Sequence, residues 1–268
     1  FKNQGLDHPI LIGREAQVER MMEQMGVPAG TLEIINARLS DNNPVYTDLL
    51  YSRLQRDGYL KRDVQRLVNQ DRNIFGCCML KNGDADGMVT GVTRNYDVAL
   101  NDALLVLDAL PDKALMGMSM VINRGRTVFI ADTSVTELPQ GEDLANIALE
   151  AADAVRAMGF VPRVAFLSYS TFGNPMGERG EKVREAVAIL DRMPGVDFEY
   201  EGDMNADIAL NPNHSLLYPF SRLKGPANVL VMPAIHAASI STKLLESMSR
   251  ATVIGPMLLG LEKPVQIA

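Results

Sequence analysis

Short apolar runs alternate with longer stretches in which apolar residues recur every three or four positions. PILIG (9–13) predicts a short buried strand, and REAQVERMMEQMG a helix that stops at Gly26. TLEIIN (31–36) predicts a second strand, and residues 44–82 a long helical stretch interrupted near Gly58. DGMVTG (86–91) predicts a strand running into a glycine turn, and DVALNDALLVLDAL a helix ended by Pro111. GMSMVIN and TVFIADTSV predict strands around an NRGR turn, followed by a helix over 141–159. RVAFLS, FEYEG and ANVLVMP predict further strands, with GEKVREAVAILDRM a helix between the first two. DMNADIAL opens a helical stretch, a helix is expected near 239–250, and ATVIGPMLLG is the last apolar run. Val183, Ala186, Val187 and Leu190 show the helical period. The strands read as continuous apolar runs, the pattern of strands covered on both faces. Alternating strands and helices then predict an α/β fold with mostly parallel sheets.

Composition narrows the class. The chain has 268 residues, 47% apolar and 22% charged, enough for one large or two modest globular units. No apolar run reaches the roughly 18 residues of a membrane span, so no membrane association is expected. No secretory leader is evident, and a cytoplasmic location is expected. The net charge of −7 argues against a broad nucleic-acid-binding face but leaves room for a local basic pocket. The two cysteines, Cys77 and Cys78, are adjacent, which fits neither a metal site nor a redox pair. Buried helix positions are expected for them. Three scattered histidines form no metal motif, so no metal ligands are assigned. FKNQGL reads as a helix end, which suggests a piece of a longer chain.

Four predicted strand ends carry small and polar residues, where open α/β sheets bind ligands. In TGVTRNY, Gly91 permits close backbone approach and Arg94 could grip a phosphate; a plain glycine turn with a surface arginine fits equally. In ADTSV, Asp132 either accepts hydrogen bonds from a ligand or loop, or caps its own turn. In LSYSTFGNPMGERGEKVREA, Ser168, Ser170 and Thr171 precede a tight turn containing Asn174 and then a helix N-terminus, an arrangement that favours anions. The alternative is a loop tied down by its own side chains. It is neither a Walker P-loop nor a dinucleotide fingerprint. In PAIHAASISTK, His236 could act as a general base, but no nucleophile accompanies it and a structural role is expected; His8 and His214 carry no motif.

DADGMVTGVT, FIADTSV, LSYST with EKVREA, GPANVLVMP and IGPMLLGLEKPV, in that order, resemble the phosphate acetyl/butyryltransferase family over nearly the whole chain. GVTRNY, STFGNP, LEIINARLSD and LYPFSRLKGPANVLVMPAIHAASIST resemble more narrowly the C-terminal transferase-like domain of bacterial NADP-dependent malic enzymes. The resemblance implies two α/β/α subdomains with a cleft between them, the second inserted into the first. The expected boundaries are 1–126 plus 253–268, truncated at both ends, and 127–252. IGPMLLG is expected to return to the first subdomain and pair near Met88.

The resemblance also implies acetyl-CoA, or a related acyl-CoA or acyl phosphate, as ligand, with Gly91, Arg94, Asp132, Thr133, Ser168, Ser170, Thr171 and Asn174 near it. It implies a homodimer or higher homo-oligomer, and an N-terminal malic enzyme domain in the same chain that carries NADP and a divalent metal, with no cofactor in this domain. Catalytic family members place an arginine-proline pair where Asn101 and Asp102 stand, and often a cysteine where Thr133 stands. Their Ser-Arg pair and catalytic aspartate would fall after Pro264, beyond residue 268. No catalytic residue is therefore assigned, and a regulatory, non-transferring domain is expected. A working phosphate acetyltransferase is the alternative.

Overall fold

The computed structural model describes Gly5 and residues 8–268; apart from Gly5, the helix end read at residues 1–6 lies outside the described residues. The chain divides into two compact units, 1–108 with 263–265, and 109–262 with 266–268.

In the first unit, β1 (Ile10–Ile12) and β2 (Glu33–Ile35) pair in parallel on either side of α1 (Glu15–Gln24). The helical stretch that follows breaks into α2 (Asn43–Leu54), α3 (Lys61–Gln70) and α4 (Arg72–Asn82). The first break is at Gly58, with φ +88°. The second is at Asp71, an extended residue whose carboxylate accepts the amides of Asn73 and Ile74 and so caps α4. Residues 73–80 of α4 are all buried, as a helix covered on every side requires. Cys77 and Cys78 lie in that stretch as free thiols. Burial pushes both thiols up to about 12. The Tyr46 ring meets Phe75 edge-on at 5.2 Å, and its hydroxyl donates to Asp84 at 2.6 Å. β3 (Met88–Thr90) and α5 (Tyr96–Val106) complete this part.

The second unit is built on one six-stranded sheet. Its order is β7 (Glu199–Met204), β6 (Arg163–Leu167), β8 (Val229–Val231), β5 (Arg126–Ala131), β4 (Met116–Asn123), β9 (Thr252–Leu259). The first four strands are parallel; β4 runs antiparallel to both β5 and β9. Alternate residues of each apolar strand face opposite layers. Phe129, Ala131, Val164, Phe166, Val229 and Val231 pack with α6 (Gly141–Ala157) and α7 (Glu178–Arg192). Ile130, Ala165, Leu167, Leu230 and Met232 pack on the other side with Ala209 of the short α8 (Ala206–Ala209) and Ala238 of α10 (Ile235–Ser249). One-turn α9 (His214–Leu217) lies between α8 and β8 in sequence, and β10 (Val265–Ile267) closes the chain.

Three expectations are corrected. IGPMLLG does not pair near Met88: it is the edge strand β9, hydrogen-bonded to β4, and the segment 263–265 instead returns to the first unit, where Met88 N donates to Pro264 O at 2.9 Å. The strands at 116–123 and 252–259 accordingly share a sheet with the residues between them, so the division falls near 109 and 262 rather than at 127 and 252. The residues DM of DMNADIAL end β7, and α8 begins only at Ala206.

Candidate ligand site

The four parallel strands of the second unit end together. Ala131, Val231 and Phe166 are in register across β5, β8 and β6, so Asp132 and Ser168 leave the same carboxyl edge with β8 between them. The loop after β6 is fastened to the end of β7. Ser168 N donates to Met204 O at 3.0 Å and Phe172 N to Asp203 O at 2.7 Å. Thr171 and Asn174 exchange two backbone bonds of 3.1 Å, closing a tight turn completed by Gly173 at φ +82°.

Asp203 organises this loop. It is fully buried. Its carboxylate accepts the Ser170 hydroxyl, the Gly173 amide at 2.9 Å and the Arg184 guanidinium at 3.3 Å. Ser168 and Ser170 share a 3.0 Å hydroxyl contact, and Thr171 Oγ1 accepts the Asn205 amide at 3.1 Å. Ser170, also fully buried, is thus a positioning residue for the loop. Ser168 and Thr171 are half-buried and Asn174 is exposed, so these three can be reached from solvent. The N-terminus of α7 is less attractive to anions than the sequence suggested, because Glu178 and Glu181 occupy its first turn.

Asp132 resolves to a cap. It is buried, and its two oxygens accept the amides of Gly117 at 2.8 Å, Ser134 at 2.9 Å, Val135 at 3.2 Å and Thr136 at 2.6 Å. Thr133 next to it is half-buried, with its hydroxyl 3.2 Å from that of Ser119.

Gly91 and Arg94 belong to the first unit. Gly91 has φ +125° and its carbonyl accepts the Arg94 amide at 2.8 Å, so the glycine serves a turn. Arg94 is held by Asp71 at 2.7 Å and Asp102 at 2.6 Å. The hydrogen bond to Asp71, above all, raises its pKa further. Asn73 Nδ2 donates to Asp102 at 2.9 Å and Thr90 Oγ1 to Asn73 Oδ1 at 2.6 Å, so one network joins β3, α4 and α5. Two carboxylates on one guanidinium leave the cluster net negative, so in this structure Arg94 serves ion pairs within the first unit. Asn101 and Asp102 lie within α5, five and six residues after its first residue, and do not open it.

Sequence reasoning missed Asp203, Arg184 and Asn205. The signal for Asp203 was available: EGD at the end of one strand repeats the IAD at the end of another, an acid directly after a small strand residue. His214 is buried with its ring nitrogens facing the carbonyls of Asn211 at 3.0 Å and Leu223 at 3.1 Å, and so ties down the segment between them. His236, for which a structural role was expected, is exposed in the first turn of α10. Among the described residues no group of three or more His, Cys, Asp or Glu is placed to hold a metal ion, and no helix is long and apolar enough to cross a membrane.

The match to known proteins is specific: the family model described as phosphate acetyl/butaryl transferase covers residues 1–268, and the chain belongs to that family. It superposes on a phosphotransacetylase from Streptococcus pyogenes with a TM-score of 0.91 at 28% identity, covering 99% of this chain and 81% of that one. It is 29% identical over 262 residues to the phosphate acetyltransferase of Bacillus subtilis, covering 96% of this chain and 80% of that protein. It is also similar to a region of longer proteins. Over 271 residues it is 56% identical to the NADP-dependent malic enzyme of Rhizobium meliloti, matching all of this chain but 35% of that protein. The corresponding enzyme of Escherichia coli is 35% identical over 272 residues, again covering 35% of its length. The chain thus spans about a third of the malic enzymes it matches and corresponds to their C-terminal, phosphotransacetylase-like part.

Proposed function

We propose that this domain binds acetyl-CoA, or a related acyl-CoA or acyl phosphate, and regulates an NADP-dependent malic enzyme of which it is a part, without transferring the acyl group itself. In this reading the remainder of the chain converts malate to pyruvate with NADP and a divalent metal.

The observation that carries the reading is the state of the carboxyl edge of the six-stranded sheet. The edge keeps accessible donors at Ser168, Thr171 and Asn174, on a loop already ordered by Asp203. A preordered loop binds with less loss of conformational freedom. Two residues of that edge support a non-transferring role: the Thr133 hydroxyl meets a serine hydroxyl and not a base among the described residues, and Asp132 is filled by four backbone amides. Ground-state binding and transition-state stabilisation are separable, and only the second accelerates a reaction. Inhibition then requires that the ligand prefer one of two conformations, and coupling of this kind amounts to about 1–3 kcal/mol. Self-association is part of the proposal, supported by Ile240, Leu244, Leu245 and Met248, all at least 38% exposed on α10. Contiguous exposed apolar patches of more than about a few hundred Å² are associated with interaction sites, and these four residues are the support for self-association here.

The test is acetyl-CoA inhibition of the full-length protein's malate oxidation, beside Ser168→Ala and Thr171→Val. Weaker inhibition with unchanged uninhibited turnover is expected; unchanged inhibition in both variants would remove the loop from the site. The second reading, a working phosphate acetyltransferase, is favoured by the whole-length similarity to phosphotransacetylases, and release of free thiol from acetyl-CoA and phosphate would establish it.

A further inference from the structure

A cavity of about 540 Å³ opens in the first unit, among residues that neither the sequence motifs nor the proposed function use. Such a volume is in the range of small-molecule sites. Its walls come from three places. Gly13 and Arg14 follow β1, Asn36 to Leu39 follow β2, and Asn69, Gln70 and Arg72 flank the break between α3 and α4. Because β1 and β2 are parallel, both lead into the cavity from their carboxyl ends, the edge at which open α/β sheets take ligands. Gly13 N donates to Ile35 O at 2.9 Å, and Arg38 N to Asn36 Oδ1 at 3.1 Å, so one turn is held by the backbone and the other by the Asn36 side chain.

The charge here is one-sided. Three guanidiniums line the cavity and no carboxylate does, in a chain with 33 acidic and 26 basic residues. Elsewhere Arg53, Arg94, Arg156, Arg184 and Arg222 each pair with an acid, while others such as Arg20 and Arg66 do not among the described residues. Arg14, Arg38 and Arg72 pair with none among the described residues. Glu15 follows Arg14 and Asp71 precedes Arg72 in sequence, but neither lines the cavity, and Asp71 is engaged by Arg94 at 2.7 Å and by the amides that begin α4. Like charges lining one cavity repel one another, and a bound anion adds an attraction to each that offsets this repulsion. The side-chain oxygen of Asn69, in the cavity wall, is buried and has no donor. A buried acceptor without a donor costs about 1–3 kcal/mol until something satisfies it. Arg14 is the N-cap of α1 and makes no side-chain capping bond, so its guanidinium is not tied to the helix start, although Glu15 in the first turn tempers the pull of that helix end on an anion.

We infer that this cavity is a second ligand site, for a small phosphorylated metabolite whose phosphate oxygens are gripped by Arg14, Arg38 and Arg72 and whose hydroxyl or amino group donates to Asn69. Guanidinium matches phosphate in two-point geometry, and planar amides from Gln17, Asn36 and Gln70 supply uncharged donors around it. The site uses none of the residues assigned to the acyl-CoA reading and does not depend on it.

The test is isothermal titration of the full-length protein with inorganic pyrophosphate and, separately, with acetyl-CoA. Wild type is compared with the double variant Arg14→Gln/Arg38→Gln and with Arg20→Gln, an exposed arginine of α1 outside the cavity. The expected result is one pyrophosphate per chain, affinity lowered at least about tenfold in the double variant, as loss of two charge-assisted contacts implies, and no change in Arg20→Gln. Acetyl-CoA affinity should be the same in all three. No pyrophosphate binding, equal weakening by Arg20→Gln, or an unaffected double variant would overturn the site. Loss of acetyl-CoA binding in the double variant would overturn its separateness, by making the cavity part of the acyl-CoA site.

Discussion

At the residue scale, the most consequential side chain is one that no motif announced. Asp203 is fully buried and survives as a polar group because three donors meet it. Removing the Ser170 hydroxyl leaves part of that carboxylate unpaired, so Ser170→Ala is expected to lower stability by about 1–3 kcal/mol in urea unfolding. Arg184→Ala is expected to cost less, since its guanidinium is 31% exposed and its distance to Asp203 is 3.3 Å. The reverse order would show that the arginine, not the hydroxyl, holds the loop. The two cysteines give a pH prediction. Their thiols move from an ordinary value of 9.0 to about 12 because burial penalises the thiolate. The folded state therefore holds these protons more tightly than the unfolded state. Their contribution is fully present below pH 9 and is lost as pH rises toward 12, with a slope of up to about 1.4 kcal/mol per pH unit for each thiol. A Cys77→Ala/Cys78→Ala variant should show a shallower alkaline decline in unfolding free energy than wild type; parallel declines would assign the alkaline loss to other groups. Some residue assignments were legible in the sequence and others were not. Burial of two adjacent cysteines followed from their apolar helical setting. That Arg94 would meet Asp71 and Asp102 did not, because the partners lie 23 and 8 residues away, one at the cap of α4 and one within α5, and spacing carries no information on which side chains converge.

At the element scale, helix and strand identities were largely readable because the apolar period differs between them. The pairing of β9 was not. IGPMLLG is an apolar run that could join any sheet edge, and the choice of β4 is made by the antiparallel register from Met116↔Leu259 to Ile122↔Thr252. Local pattern fixes which faces a strand buries but not its neighbour. The exit from β9 depends on Gly260, at φ +88°, where a Cβ would stand 2.3 Å from the carbonyl oxygen of Ala114. The obstacle is backbone and cannot swing aside. Gly260→Ala is expected to lose about 1–3 kcal/mol from overpacking, with the left-handed conformation adding to it. A melting temperature equal to wild type would contradict this account of the turn. The Asp71 break is a second element-scale device, since the same carboxylate caps α4 and binds Arg94. Asp71→Ala should therefore destabilise the first unit by more than the roughly 1 kcal/mol typical of a lost cap alone.

At the scale of the whole molecule, the family was legible from five short segments in sequence order, and the structural likeness to phosphotransacetylases agrees with it. The unit boundary was less legible, because it is set by which strands share the six-stranded sheet rather than by any change in composition along the chain. The proposed function joins the phosphotransacetylase-like frame to ligand binding without acyl transfer. It predicts that acetyl-CoA binds and stays intact. The most direct measurement is equilibrium dialysis of the protein against acetyl-CoA and phosphate, with bound ligand and free thiol followed in the same samples. Saturable binding with no thiol above the protein-free control is the expected result. Absence of binding, or thiol release within the ordinary enzyme range of about 1–10³ per second, would contradict it.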